Sequence, residues 1–304
     1  MTSRPDIHGV KVEAPATGTG GVLPDLPHRR KKTPLADRAI DVFLLLFGFF
    51  MVLPLLLLIA NAFKTPEEML AWPPTLVPRE PTISNFTSVL SSTPLLRWIF
   101  NSLAFALSSA IAISVTSAIA GYLMAKFPSR TMSVLFAVIL ATAIVPFEVY
   151  MIPLYFQAQA LGILNSLPGL LLGYLVMSFG IFLIRQNVIH SIPDELLEAA
   201  RIDGAGEIWI FVRVVVPLLR GALGALFVLA FFQAWTAFAW PIIVATTKES
   251  YTIEVGLALF QTGFTIDLGR LSAASALVLV PSVTIFIFLR RNLVQGVAST
   301  GLKE

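Results

Sequence analysis

EAARIDGAGE, residues 198–207, decides how the rest of the chain is read. Its ten positions hold three carboxylates, one arginine and two glycines. It lies inside IPDELLEAARIDGAGEIWIFVRVVVP, residues 192–217. Pro193 suits the first position of a helix, where its missing N–H costs nothing. Asp194 and Glu195 follow in the first turn, where the helix dipole favours negative charge. Leu196, Ala199, Ala200 and Asp203 recur at helical steps. Gly204 is a natural left-handed stop, and Ala205-Gly206 completes the turn. A second amphipathic helix starts near Glu207, carries Ile208, Phe211 and Val215 on one side, and runs into apolar sequence near Pro217. The stretch therefore reads as a helix–turn–helix whose first helix is kept thin by Ala199 and Ala200. A thin helix lets another surface come close.

Three uses fit these residues: a solvated loop, a docking lever and a catalytic site. Catalysis needs partners that converge on the carboxylates, and the loop carries no nearby His, Ser-rich elbow or metal-ligand spacing. The solvated loop and the lever both remain open on the residues alone.

The composition around this loop is that of a membrane protein. The 304 residues are 56% hydrophobic and 13% charged, with mean hydropathy +0.82; soluble domains carry about 25% charged residues. There is no cysteine, which excludes disulfides and thiolate metal sites, and His8, His28 and His190 are not spaced for a metal. Residues 1–36 are rich in Pro, Gly, Thr and charge and read as a disordered tail. They do not read as a secretory signal, because the first long apolar run starts only near Val42. Residues 37–304 read as one all-α membrane domain, with the charged loop at about 192–213.

A transmembrane helix needs about 20 mostly apolar residues. Six candidates follow: 42–60 with Pro54 inside, 98–125, 131–155 with Glu148 inside, 168–189, 214–234 and 271–289. The uncharged run 149–184 is too long for one span and is divided at LGILNSLPG, 161–169, where turn formers gather. With the N-terminus inside, the inner segments hold 16 of the 21 Lys and Arg residues and the outer ones five. That bias places both termini, and EAARIDGAGE, in the cytoplasm. Outside, the Pro-rich segment 61–97 reads as an ordered loop. WTAFAWPIIVATT, which opens 235–270, reads as an interfacial helix or a re-entrant element.

The loop resembles the EAA loop of membrane subunits of binding-protein-dependent ABC importers, at Glu198, Ala199, Ala200, Asp203, Gly204, Ala205, Phe211, Pro217 and Leu218. The resemblance covers about 37–304. FKTPEEMLAWPPTLVPREPTISNF, NSLAFAL (101–107), AGYLMAKF (120–127), VPFEVYMIPLYF (145–156), LGILNS (161–166) and WTAFAWP (235–241) resemble the carbohydrate-uptake branch, in particular subunits similar to the smaller maltose transporter permease. One departure stands out: Arg220-Gly221 occupies the place where the family often has proline.

The resemblance implies a type I ABC importer permease fold with six transmembrane helices and a cytosolic coupling helix–turn–helix, in a bacterial or archaeal inner membrane. It implies a second permease subunit, two ATPase subunits that bind ATP and magnesium, and an external solute-binding protein. No nucleic-acid partner and no cofactor of the chain's own is implied. Glu198 would pair with a basic group on the ATPase, Ala199 and Ala200 would allow close packing, Gly204 and Ala205 would make the turn, Asp203 would brace it, and Pro217 would mark the join to the fifth span. The chain contains no Gly-Lys pair and so no phosphate-binding loop of the Walker A type, which leaves ATP hydrolysis to a partner. The implied solute is a sugar or oligosaccharide, with glycerol phosphate or a polyol as the alternative.

Candidate solute contacts are Glu148, the one acidic residue within an expected span, with Tyr150, Tyr155, Gln157, Gln233 and Trp235 at similar depth; interface anchoring serves these residues equally well. Gly169-x-x-x-Gly173 permits close helix packing. QGVASTGLKE at the C-terminus reads as a flexible tail. An ion-coupled secondary transporter would need several intramembrane ionisable residues, and this sequence offers Glu148 and, near the inner edge, Arg220.

Overall fold

The computed structural model describes residues 34–73, 75–262 and 265–301, without the side chains of 34–37, 262, 265 and 290–301. The expected tail lies outside the described residues except for its last three, which are already helical. Contacts divide the chain into two units, 1–52 and 53–304. In the first, the described residues form one apolar segment, the leading part of α1 (Pro34–Ala62). Its large side chains are exposed, Leu45 by 71%, as suits a helix facing lipid.

In the second unit the end of α1 leads into the Pro-rich segment. Here α2 (Pro66–Met69) starts under a side-chain cap from Thr65, and α3 (Ser84–Ser92) follows. Lys64, only 3% exposed, donates to Asn61 Oδ1 at 2.8 Å and to the Thr75 carbonyl at 2.6 Å. Glu68 accepts from the Arg79 amide at 2.9 Å and the Thr75 hydroxyl at 2.8 Å. Those donors hold its carboxyl below the ordinary range.

The centre of the unit is α4 (Leu95–Lys126), uncharged between Arg97 and Lys126 and followed at once by Phe127-Pro128. It packs on α8 (Ser178–Ser191) and α12 (Arg220–Trp235), and α12 packs on α15 (Leu268–Gly301). Small residues set the α4–α8 approach: a Cβ on Gly121 would sit 2.9 Å from the Arg185 amide nitrogen, and one on Gly180 2.5 Å from Ser117 Oγ. Between apolar helices in lipid, such close backbone contact supplies the association energy.

Two expected spans are broken. The run 131–155 is two helices, α5 (Arg130–Thr142) and α6 (Phe147–Ala160), meeting at 102°. Pro146 forces the break, since the residue before a proline is driven out of the helical region. The run 168–189 is divided into α7 (Leu167–Leu171) and α8 by the non-helical 172–177. Gly169 and Gly173 do not form one helix face. A Cβ on Gly169 would lie 2.2 Å from the Ile163 carbonyl, and one on Gly173 3.1 Å from Phe147, so each glycine admits a different neighbour. Among the described residues, three helices are each long and apolar enough to cross a membrane, Arg38–Ala62, Leu95–Lys126 and Leu268–Leu289. There are up to five if the α5–α6 pair and the pair Glu207–Leu218 with Arg220–Trp235, bent by 77°, each count as one.

After α12 come α13 (Ala239–Val244), which packs on α6 and α7, and α14 (Ile253–Ala258), which packs on α4 and α15. Asn165, at φ 58°, ties this region to the turn before α7: its Oδ1 accepts from the amides of Thr246 and Thr247 at 2.6 and 3.0 Å. β1 (Gln261–Thr262) pairs antiparallel with β2 (Thr265–Ile266), the single strand pair among the described residues. The backbone of α15 continues as helix through Gly301, past Pro281 and into the segment expected to be a flexible tail.

Candidate functional site

The EAARIDGAGE stretch folds as a helix–turn–helix. Helix α9 (Asp194–Ile202) begins one residue later than expected, with Pro193 at its N-cap. It ends at Gly204, φ +84°. The Gly204 amide donates to the Arg201 carbonyl and the Ala205 amide to the Ala200 carbonyl, both at 3.0 Å. This 5→2 and 6→1 pair is the Schellman arrangement, which satisfies carbonyls that a helix end otherwise leaves bare. Helix α10 (Glu207–Ile210) follows, then a π-turn over Phe211–Val215, closed by the Val216 amide on the Phe211 carbonyl, then α11 (Val216–Leu218) and α12.

Between α9 and α10 lies an open groove of about 540 Å³ lined by Leu196, Ala199, Asp203, Gly204, Ala205 and Trp209, among others. The expected stripe on α9 is thus its outward face. Leu197, fully buried, is the anchor on the other side. Glu198, Ala199 and Asp203 are exposed, and Ala200 and Ala205 are half-buried against the core. Pro217 is exposed at the join to α12. The second helix differs from expectation. Ile208 is 82% exposed, whereas Ile210, Val215 and Leu219 are buried. The π-turn inserts a five-residue step between Ile210 and Val215, which shifts the buried face off the regular helical spacing. Ile202 and Trp209 are exposed beside Ile208, so the tip carries bare apolar side chains.

Three supports went unread in the sequence. Arg201 forms a two-point ion pair with Glu207, Nε to Oε1 at 2.6 Å and Nη2 to Oε2 at 3.3 Å. This pair spans the turn, and Asp203 lines the groove beside it. Tyr122 on α4 donates to Glu207 Oε2 at 3.5 Å, and its ring centre is 5.4 Å from that of Phe211. Lys126, at the end of α4, donates to Asp194 Oδ1 at 2.5 Å and to the Ile192 carbonyl at 2.6 Å. Their positions, one helical turn apart at the C-terminal end of an uncharged span, were the available signal. The helix–turn–helix is therefore tied to α4 as well as to α12.

The expected solute-path residues are divided between α6 and α12. Glu148, Tyr150, Tyr155 and Gln157 all sit on α6. At 3.6 residues per turn, Glu148 and Tyr155 share one face while Tyr150 and Gln157 share the opposite one. Glu148, Tyr150 and Gln157 are exposed. Gln233 is exposed on α12, and Trp235 is buried, stacked on Phe231 at 5.8 Å and donating to Ser282 Oγ at 3.3 Å. That geometry makes Trp235 a tie between α12 and α15.

Residues 117–299 match the family described as "binding-protein-dependent transport system inner membrane component". The chain is 28% identical over 268 residues to the arabinooligosaccharides transport system permease protein AraQ of Bacillus subtilis, covering 87% of this chain and 95% of that protein. It is 31% identical over 261 residues to the sulfoquinovosyl glycerol transport system permease protein SmoH of Agrobacterium fabrum, with 86% and 90% covered. It is 29% identical over 275 residues to the sn-glycerol-3-phosphate transport system permease protein UgpE of Yersinia enterocolitica, with 86% and 98% covered. In fold it is similar to a chain of a bacterial ABC transporter involved in the import of the acidic polysaccharide alginate, with TM-score 0.70, 20% identity, and 84% and 96% covered. By its family match this is a transport permease. The chain belongs to the family of binding-protein-dependent transport system inner membrane components.

Proposed function

We propose that the chain is one permease subunit of an ATP-driven importer, forming half of the path for a sugar or oligosaccharide handed over by an external solute-binding protein. The observation that carries this is the groove between α9 and α10: an exposed, alanine- and glycine-walled surface with bare apolar side chains at its tip. A cytosolic ATPase subunit docks there. Glu198 meets a basic group of that subunit, Ala199 and Ala200 let it approach, Gly204 and Ala205 fix the turn, and Pro217 begins the join to α12. ATP and magnesium belong to the ATPase, two copies of which serve this chain and a second permease.

The chain crosses the inner membrane six times, with the bent α5–α6 pair and the interrupted α7–α8 run each supplying one crossing, and both termini lie in the cytoplasm. The sugar reading draws on the carbohydrate permeases among the relatives; glycerol phosphate is the second substrate class, favoured by the likeness to UgpE.

The test is purification through a tag on this chain. The importer reading expects an ATPase and a second permease to co-purify, with vanadate-sensitive hydrolysis that depends on the complex. Solute uptake by the lone chain, driven by an ion gradient, overturns it.

A further inference from the structure

Helix α14 is pinned to α4 on one side. A Cβ on Gly256 would fall 2.1 Å from the Trp98 ring, and the Ile253 amide donates to Ser102 Oγ at 2.8 Å. Glu254 stands two residues before Gly256, about 200° around the helix, and so is turned away from α4. It faces a cavity of about 350 Å³ whose wall includes Phe238, Gln261, Ser272 and Ser275. That volume lies within the range of small-molecule sites, about 300–1,000 Å³.

The carboxyl of Glu254 is half-buried, and among the described residues no cation or hydrogen-bond donor reaches it. As part of the cavity wall, the carboxyl offers acceptor oxygens to whatever occupies that space. Burial also pushes the carboxyl above its ordinary range. The hydroxyls of Ser272 and Ser275, three residues apart on α15, and the Gln261 amide add donors and acceptors on the same wall. Phe238 is 43% exposed, and an aromatic face suits the C–H side of a sugar ring. The nearby basic residues are placed elsewhere: Lys248 and Arg270 line a separate cavity of about 690 Å³, where Arg270 is paired with Asp267 at 2.5 Å.

We propose that Glu254, Gln261, Ser272, Ser275 and Phe238 form a binding subsite for a neutral polyhydroxylated solute. Solute hydroxyls donate to the Glu254 carboxyl, and the serine and glutamine groups complete the set. An anionic solute placed there meets a carboxyl that no cation among the described residues offsets, which disfavours both charges. The subsite rests on the importer reading and sharpens it, selecting sugars over phosphate or sulfonate esters, and it lies apart from Glu148, Tyr150, Tyr155, Gln157, Gln233 and Trp235.

The absence of cysteine from the chain provides the test. In the whole importer, Glu254→Cys and Ser275→Cys each introduce the only thiol of this subunit. A membrane-impermeant cationic methanethiosulfonate is added from outside, with Ala273→Cys as the buried control and Thr247→Cys as the exposed one. The subsite expects Cys substitutions at 254 and 275 to label, at 273 not, and L-arabinotriose or lactose to slow that labelling. In a second arm, Glu254→Gln raises KM for the imported sugar about tenfold, the loss of one hydrogen bond to a charged acceptor, with kcat little changed.

Thiols at 254 and 275 that stay unlabelled while 247 labels overturn the cavity as a water-lined site. Labelling unaffected by either sugar, or slowed by sn-glycerol 3-phosphate alone, overturns the neutral subsite while leaving the importer reading standing. A chain that purifies without any ATPase sinks the importer reading instead, and the labelling pattern still reports on the cavity.

Discussion

Arg201 and Glu207 face each other across the Gly204 turn and meet at two points, 2.6 and 3.3 Å apart. The pair spans the turn and so links α9 to α10. Neutralising either partner by Arg201→Ala or Glu207→Gln is expected to lower uptake several-fold at unchanged protein level, while the exchange Arg201→Glu with Glu207→Arg restores part of it. Uptake per ATP hydrolysed is the measurement. The Arg201 hydrogen bond holds the Glu207 carboxyl below its ordinary range. With a depressed folded-state value, the brace contributes fully above the ordinary carboxylate range and is lost only as pH falls through Glu207's own lower value. Coupling should therefore be insensitive to pH around neutrality.

Gly204 has open space around it, since a Cβ there meets nothing within 4 Å. The obstacle to substitution is the backbone, which at φ +84° costs an L-residue about 1–2 kcal/mol. Asn tolerates this region best. Gly204→Asn should retain most transport. Gly204→Trp adds bulk to the groove and should abolish transport while the protein still inserts at wild-type levels. Normal uptake by the Trp variant would sink the docking model.

Two glycines in helices should respond in opposite directions. Gly256→Ala drives a Cβ into the Trp98 ring and is expected to destabilise by about 1–3 kcal/mol or more. Gly221, beside Arg220 in α12, has nothing within 4 Å, so Gly221→Ala should stabilise by about 0.5–1 kcal/mol through helix propensity. Thermal unfolding in detergent, followed by loss of the monodisperse peak, distinguishes them.

Lys126 is nearly buried and holds the Ile192 carbonyl as well as Asp194, whose own side chain is 75% exposed. Lys126→Ala should cost about 1–3 kcal/mol, because it strands a carbonyl. Asp194→Asn should cost little, as exposed ion pairs contribute about 0–1 kcal/mol. The same unfolding assay reads both variants.

The sequence made the Gly204 stop, the thin face at Ala199 and Ala200, and the long apolar helices legible, because each depends on neighbours within a turn or two. It hid what long-range packing decides. The Arg201–Glu207 pair needs the turn geometry before two residues six apart can meet. Regular helical spacing groups Ile208 with Phe211 and Val215 on one side, and it does not register the π-turn that intervenes. The breaks at Pro146 and 172–177 were masked by uncharged sequence, since hydropathy does not register direction. Only the fold brings Glu254 to the cavity wall it shares with Ser272 and Ser275.

The π-turn over Phe211–Val215 holds one residue more than regular helix would need. Each residue of a helix accounts for about 100° of rotation, so relaxing that turn to α geometry would twist everything on one side of it by about that angle. The joint between the α9–α10 groove and α12 is thus a rotary one. A single-residue deletion within 211–215 should leave both flanking helices intact and wind them out of phase, giving a well-folded subunit whose groove faces the wrong way.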